Sequence, residues 1–243
     1  MDKEAKWLKQ RCGKITASEL CNIVSASGKI IDINLNYIRK KKWERKRGFS
    51  HPVSTRQMEI GNEQEPFVID WCRKNLGLEL IYSKELAEIP FWLAPDCPLG
   101  ASPDAYTPDK RIVIEAKTLV GAKEIEFFGD EDTSYEEKKL AVWNDHGPQL
   151  LGQFLANPRV EEIWLVKYIY QDDNIMEDSD SPLAPWRGVV FRFRREDYAE
   201  SIEEMRKRVL LFDAFIDSDI NPSKMKEGWE LVDGRLVKIK KEK

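Results

Sequence analysis

An α/β fold, a mixed β-sheet with helices on both sides, is what this sequence predicts, and three observations carry the expectation. Two runs read as apolar strands, Arg111 to Lys117 (RIVIEAK) and Glu162 to Tyr170 (EIWLVKYIY). A long helical pattern from Thr55 to Leu76 sets Ile60, Phe67 and Trp71 on one face, with Val68 and Cys72 beside it. The order along the chain is helices, strands, helix, strand, strand, helix, with no internal repeat and no linker. The 243 residues suit a single domain over 1–243, long enough to bury a proper core, with 220–243 as a C-terminal extension.

Residues 2–11 pattern as a short amphipathic helix with Trp7 and Leu8 on its apolar side, ended by Gly13. Thr16 or Ser18 can cap a helix from Ala17 to Val24, and Ser25 to Gly28 is a turn. A helix from Asn34 to Arg47 follows, and Gly48 to Pro52 breaks it, with His51 incidental in that loop. The Thr55–Leu76 helix invites a reset at Glu65-Pro66. Leu78 to Tyr82 and Lys84 to Trp92 read as strands, limited by Pro90, Pro95 and Pro98. A strand or turn ends on Ser102-Pro103-Asp104 before the RIVIEAK strand. The stretch from Lys117 to Asp132 reads as irregular and acidic, with Lys123 as a basic exception. A helix from Ser134 to Trp143 should break at Asn144 to Gly147, where His146 is a loop or capping residue, and Pro148 should open the next helix. After the EIWLVKYIY strand come a polar loop over 171–186, an alternating edge strand from Arg187 to Arg194 and a helix from Glu196 to Phe215. A small hairpin is expected around Asp233-Gly234.

Composition narrows the function. Charged residues make up 34% and no apolar run approaches a membrane span, so a soluble chain is expected, and the charged start MDKEAKWLKQR has no secretory h-region. Cys12, Cys21, Cys72 and Cys97 form no C-x-x-C, which argues against zinc or iron–sulfur sites and for reduced thiols in the cytoplasm. The net charge of −4 argues against nucleic-acid binding, but the charges are segregated. The run 39–47, RKKKWERKR, holds seven basic side chains and one acid. It reads as a solvated helix face or as part of a positive channel.

The stretch Gly100 to Lys117 carries the chemistry. Alternation puts Ile112, Ile114 and Ala116 on one face of its strand and Val113, Glu115 and Lys117 on the other. Asp104 and Glu115 suit a divalent hard cation such as Mg²⁺, which wants oxygen ligands, and Lys117 could position or deprotonate a water. The plain alternative is a surface ion pair worth under about 1 kcal/mol. Arg11 beside Thr16 and Ser18 at a helix N-terminus is either an anion site or simple capping. Glu65, one turn beyond Gly61, is otherwise an exposed helix acid, and Gln149 and Gln153 form an i,i+4 pair on one face.

These segments together resemble the lambda-exonuclease or YqaJ-type viral recombinase family, a branch of the PD-(D/E)xK nucleases. Arg11-x-Gly13-x-Ile-Thr-Ala-Ser18, Gly61-x-x-x-Glu65-Pro66, Ser102-Pro103-Asp104, Glu115-Ala116-Lys117 and Gln149-x-x-x-Gln153 are similar to its motifs, in its order, over residues 7–157. The resemblance implies a restriction-endonuclease-like core. It implies that Asp104, Glu115 and the Ala116 carbonyl ligate Mg²⁺, with Mn²⁺ as a substitute, and that Glu65 helps hold a second metal through water. Lys117 would act on the attacking water and Gln149 would support it. Arg11, Ser18 and Ser102 would hold the 5′-phosphate of the strand being cut. Lys123 would join them where the lambda enzyme has an arginine, keeping the charge without the bidentate grip. Ala105, where the family often has glycine, should be tolerated. The implied activity is 5′→3′ degradation of one strand of linear double-stranded DNA, with a 3′ tail left for strand annealing in phage-type recombination. The implied partners are DNA ends, two further copies in a homotrimer ring and a single-strand annealing protein. The implied setting is a bacterial host cytoplasm and a phage or prophage source. Trp7 is a core residue or part of a partner or DNA contact. A restriction-like endonuclease, or a DNA-end-binding module with a weak site, are the alternatives.

Overall fold

The computed structural model describes residues 3–24, 35–50, 55–85, 88–169, 181–221, 223–224 and 228–239. The expected turn at 25–28, His51, most of the 171–186 loop and the last four residues lie outside them. The chain opens with α1 (Lys3–Arg11), β1 (Ile15–Thr16) and a 3-10 turn, Ala17–Asn22, where an α-helix was expected. Then come α2 (Leu35–Arg47) and α3 (Arg56–Leu76). Short strands β2 (Trp92–Leu93), β3 (Leu99–Ala101) and β4 (Ala105–Tyr106) lead into β5 (Ile112–Leu119). The second half is α4 (Ala122–Gly129), α5 (Tyr135–Ala156), β6 (Glu162–Ile169), β7 (Gly188–Arg194), α6 (Ala199–Asp217) and the hairpin β8–β9 (Trp229–Val232, Arg235–Lys238).

The central sheet runs β4-β5-β6-β7 and is mixed, with β5 and β6 parallel and in register and the outer pairs antiparallel. A smaller mixed sheet, β1-β3-β2, stands beside it, so the strands divide between sheets. Helices cover both faces of the central sheet. Ile114, Trp164, Val166 and Tyr168 pack with Val68, Ile69, Trp71 and Cys72 of α3. Val113, Ile163, Leu165 and Phe191 pack with Leu150 and Phe154 of α5 and Val209 and Phe212 of α6. The alternation expected for β5 therefore holds: Ile112, Ile114 and Ala116 turn toward α3, and Val113 away from it. Among the described residues no helix is long and apolar enough to cross a membrane.

Both expected helix breaks are absent. Pro66 lies inside α3 and Pro148 inside α5, which Ser134 and Glu137 start with a capping box. A proline removes the bond to the carbonyl four residues back. Those residues, Asn62 and Asn144, are exposed, so water can take the orphaned carbonyls. Phe67, expected on the buried face of α3, is 43% exposed, because the buried stripe descends from Ile60 through Gln64 to Val68, Trp71 and Cys72. The strands expected over 78–82 and 84–92 shrink to one bridge from Ile81 to Tyr106 and the two residues of β2. Between them Ser83 bonds Glu85 N–H and Glu88, a local pattern that competes with strand pairing. The stretch expected to be irregular forms α4, whose Phe128 packs edge-on against Phe191.

Three of the seven basic side chains in the 39–47 run turn inward, while Arg39, Lys40, Lys46 and Arg47 stay exposed. Lys41 is 3% exposed and pairs with Glu19 and Glu44. Lys42 donates to the Ser218 and Ile220 carbonyls, and Arg45 to Asp213, Asp217 and the Gly13 carbonyl. For these three, acids and carbonyls elsewhere in the chain take the place of solvent, and the rest of the run keeps the solvated face expected of it.

α5 meets the 3-10 turn at Gly152, where an added Cβ would lie 2.8 Å from Ala17 Cβ and 2.9 Å from its Cα. Gly152→Ala would gain about 1 kcal/mol of helix propensity, but overpacking against backbone costs about 1–3 kcal/mol. A net loss of about 1 kcal/mol is expected, read as a melting temperature about 2–4 °C lower.

Candidate active site

Four segments converge at the C-terminal half of β5. Glu115, only 1% exposed, is gripped by three donors. Lys117 Nζ lies 2.6 Å from its Oε1, Gln149 Nε2 donates to the same oxygen at 2.6 Å, and Gln153 Nε2 donates to Oε2. Gln149 and Gln153 lie one turn apart on α5, so their i,i+4 spacing delivers both amides to one carboxylate. Asp104, in the β3–β4 connection, accepts the Ala116 N–H on Oδ2 at 2.7 Å, which ties it to β5. Glu65 comes from α3 and accepts a hydrogen bond from the Tyr82 hydroxyl. Asp104, Glu65, Lys117, the Ala116 backbone and His146 line a cleft of about 550 Å³, and Gly61 opens its α3 wall.

The electrostatics are those of crowded acids. Burial, then the charges of Glu115 and Glu65, push Asp104 well above the usual carboxylate range. Burial, then Glu115, pushes Glu65 up to about 7. Lys117 is desolvated, yet Glu115 and Asp104 hold its ammonium above the ordinary lysine value. His146 is pushed down to about 3 by burial and by Lys117 and Lys167, so it stays neutral. Three carboxylates facing one principal ammonium leave the cleft short of positive charge. Among the described residues no three His, Cys, Asp or Glu side chains form a ready cage for a metal. That donor set suits Mg²⁺, which takes one or two carboxylates and keeps several waters. A carboxylate offers about four lone-pair positions. Glu115 has one left after its three donors, and Asp104 keeps Oδ1.

A second cleft, of about 370 Å³, shares the lining residue Met58 with the first. Here Arg11 donates to Ser102 Oγ and to Ser18 Oγ, each at 3.3 Å. Both bonds are long, so a stronger anionic acceptor could replace them. The guanidinium lies 4.4 Å from the Trp7 ring centroid and 5.7 Å from that of Phe91. Arg11, Ser18 and Ser102 thus come together as the sequence suggested. Lys123 does not join them: it is exposed in the first turn of α4 and makes no hydrogen bond or ion pair with any of the three.

Some residues of the site were passed over. His146, expected in a loop, lines the cleft from inside α5. Gln153 was seen only as the partner of Gln149. Lys167 lines the cleft from β6, and a lysine inside the apolar run WLVKYIY was the visible signal. Tyr82 gave none.

The sequence pattern of the YqaJ-like viral recombinase domain matches residues 6–139, more than half of the chain. The chain belongs to that family. The matched span of this YqaJ-like chain includes Arg11, Ser18, Glu65, Ser102, Asp104, Glu115 and Lys117, and stops short of Gln149. No curated protein matches the sequence. An alkaline exonuclease (LHK-Exo) from Laribacter hongkongensis shares the fold at a TM-score of 0.64 and 21% identity, covering 91% of this chain and 96% of its own. Its complex with dAMP gives 0.60 and 22% over the same shares. A phage-related exonuclease from Haemophilus somnus gives 0.59 and 16%, covering 84% of this chain and 95% of its own. At these identities the likeness shows that the YqaJ-like chain has their mixed α/β fold.

Proposed function

We propose that this chain is a metal-dependent deoxyribonuclease that degrades one strand of linear double-stranded DNA 5′→3′. It releases 5′-mononucleotides and leaves a 3′ single-stranded tail for recombination by strand annealing. The observation that carries the reading is a pair of clefts that share Met58 as a wall, one lined by Asp104 and Lys117 beside buried Glu115, the other by Arg11 and Ser18. Cutting chemistry and an anion grip lie side by side. That a structural relative binds dAMP, a mononucleotide, agrees with it.

Arg11, with Ser18 and Ser102, holds the terminal 5′-phosphate and so sets which phosphodiester reaches Asp104 and Glu115. Lys117 Nζ orients the attacking water, and Gln149 and Gln153 hold Glu115 in place by donating to both its oxygens. Asp104, Glu115 and the Ala116 carbonyl would hold Mg²⁺ or Mn²⁺, with Glu65 acting on a second ion through water. Bound there, the metal supplies positive charge to the phosphate and lowers the pKa of water. Three copies closing a ring around DNA would keep the enzyme on its substrate, and an annealing protein would receive the tail.

Purified protein with Mg²⁺ should degrade linear duplex and spare closed circles, and EDTA should stop it. Cutting of closed circles would instead make it an endonuclease, and inertness toward both would leave a binding module. Arg11→Ala should cost about 10–100-fold in kcat/KM on 5′-phosphorylated ends and far less on 5′-hydroxyl ends, from loss of a charge-assisted contact. Equal losses on both would remove the phosphate role.

A further inference from the structure

We propose that Lys167 is a second phosphate-gripping residue of the cleft, and that Glu124 is the counter-ion a DNA phosphate displaces from it. The inference rests on the nuclease reading above. β5 and β6 are parallel and in register, so Lys117 and Lys167 are cross-strand neighbours on one face of the sheet. Their ammoniums part. Lys117 turns to Glu115, and Lys167 turns to Glu124 Oε1 on α4 at 2.9 Å. Lys167 lines the same cleft as Asp104, Lys117 and His146, and as Glu124 itself.

The two halves of the Lys167–Glu124 pair are unequally placed. Lys167 is 4% exposed, with its ammonium 5.2 Å from the Phe128 ring centroid at the wall of the cleft. The Glu124 side chain is 40% exposed at the start of α4. A buried ammonium needs an anion, whereas an exposed carboxylate is well served by water. The carboxylate is therefore the partner that can leave, and a phosphate oxygen can take its place charge for charge. A purely structural pair would gain nothing from standing in the wall of the cleft.

Strand order says which phosphate this is. Asp104 precedes β4, Glu115 and Lys117 lie on β5, and Lys167 lies on β6, in the sequence β4-β5-β6 across the sheet. Ser102, bonded to Arg11, lies on the β4 side. A strand with its terminal phosphate at Arg11 and its first phosphodiester at Asp104 and Glu115 carries its second phosphodiester toward Lys167. After each cut that second linkage becomes the next one to be cleaved, so Lys167 holds the strand in register between cuts.

The test uses the full chain in EDTA, with binding of a 5′-phosphorylated duplex followed by fluorescence anisotropy. One duplex carries a neutral methylphosphonate at the second linkage of the strand, and a control duplex carries it at the sixth. The wild-type protein should lose about tenfold in affinity for the first and little for the control, the size of one charged hydrogen bond. Lys167→Met should lose about tenfold on unmodified DNA and nothing more on the methylphosphonate. Glu124→Gln should bind unmodified DNA more tightly than wild type. Indifference of the wild-type protein to the second linkage overturns the proposal without reference to any variant's folding. Additive losses in Lys167→Met, or weaker binding by Glu124→Gln, also overturn it. Degradation of linear DNA with Mg²⁺ but no such coupling defeats this inference alone. Coupling without any degradation defeats the nuclease reading and leaves the grip.

Discussion

Lys117→Ala is expected to slow degradation of linear duplex DNA by about 10²–10⁴-fold, the range for losing a group that positions or moves a proton. The fold should survive. Lys117 lies in β5 beside apolar neighbours that are untouched, and Glu115 keeps its two glutamine donors. DNA-end binding should also survive, because Arg11 and Ser18 line the second cleft and Ser102 bonds to Arg11 there. Single-turnover cleavage and equilibrium binding, measured on the same 5′-phosphorylated duplex, separate the two. A variant that still cuts at the wild-type rate would remove Lys117 from the chemistry. One that loses binding in proportion would make it a substrate contact instead. Glu115→Gln is the less clean test. Its new amide would face two glutamine amide donors, and only a flip of one of them restores the bonding.

Glu44→Ala is expected to destabilise the protein by about 3 kcal/mol, toward the low end for breaking a buried ion pair. Glu44 accepts from Gly13 N–H at 3.0 Å, Lys41 Nζ at 3.1 Å and Ser50 Oγ at 2.8 Å, and is 1% exposed. Its loss orphans the Gly13 N–H, but Lys41 keeps Glu19 at 2.9 Å, which limits the damage. Melting should fall by roughly 6–12 °C for a chain of this size. Burial opposes the charged form of Glu44, yet the bonds from Ser50, Lys41 and Gly13 together hold its carboxyl below the usual 4.5. A carboxyl depressed on folding stabilises fully above its unfolded value and loses that contribution as pH falls through the folded one. The gap between wild type and Glu44→Ala should therefore be widest near neutral pH and narrow in acid. A gap that widens in acid would contradict the assignment.

The parts that were legible in the sequence are those where local pattern and packing agree. The alternation of β5, the start of α3 near Thr55 and the Asp233-Gly234 turn were all readable, Asp233 and Gly234 having φ of 48° and 73°. Arg11, Ser18 and Ser102 could be grouped only through the family's spacing, because bonds spanning 91 residues leave no local trace. The errors came where tertiary surroundings outweighed a local signal. Pro66 and Pro148 read as breaks because the exposure of Asn62 and Asn144 is not written in sequence. Within residues 39–47, Lys41 and Arg45 depart from the solvated or DNA-facing surface because the acids that claim them lie elsewhere in the chain, Asp213 and Asp217 at the far end of it. His146 was dismissed for the same reason as Pro148: the helix continues through it.

Arg45 spans that distance, and this has a consequence for how the protein is made. One guanidinium clasps Asp213 and Asp217 of α6 and the carbonyl of Gly13, two residues after Arg11. During synthesis the first of these residues leaves the ribosome long before the last. At about 5–20 residues per second, roughly ten seconds or more separate them. The segment around Arg11 is thus expected to acquire its final bracing only when the chain is nearly complete. A nascent chain would therefore carry Arg11 for most of its synthesis without the clasp that fixes the neighbouring backbone.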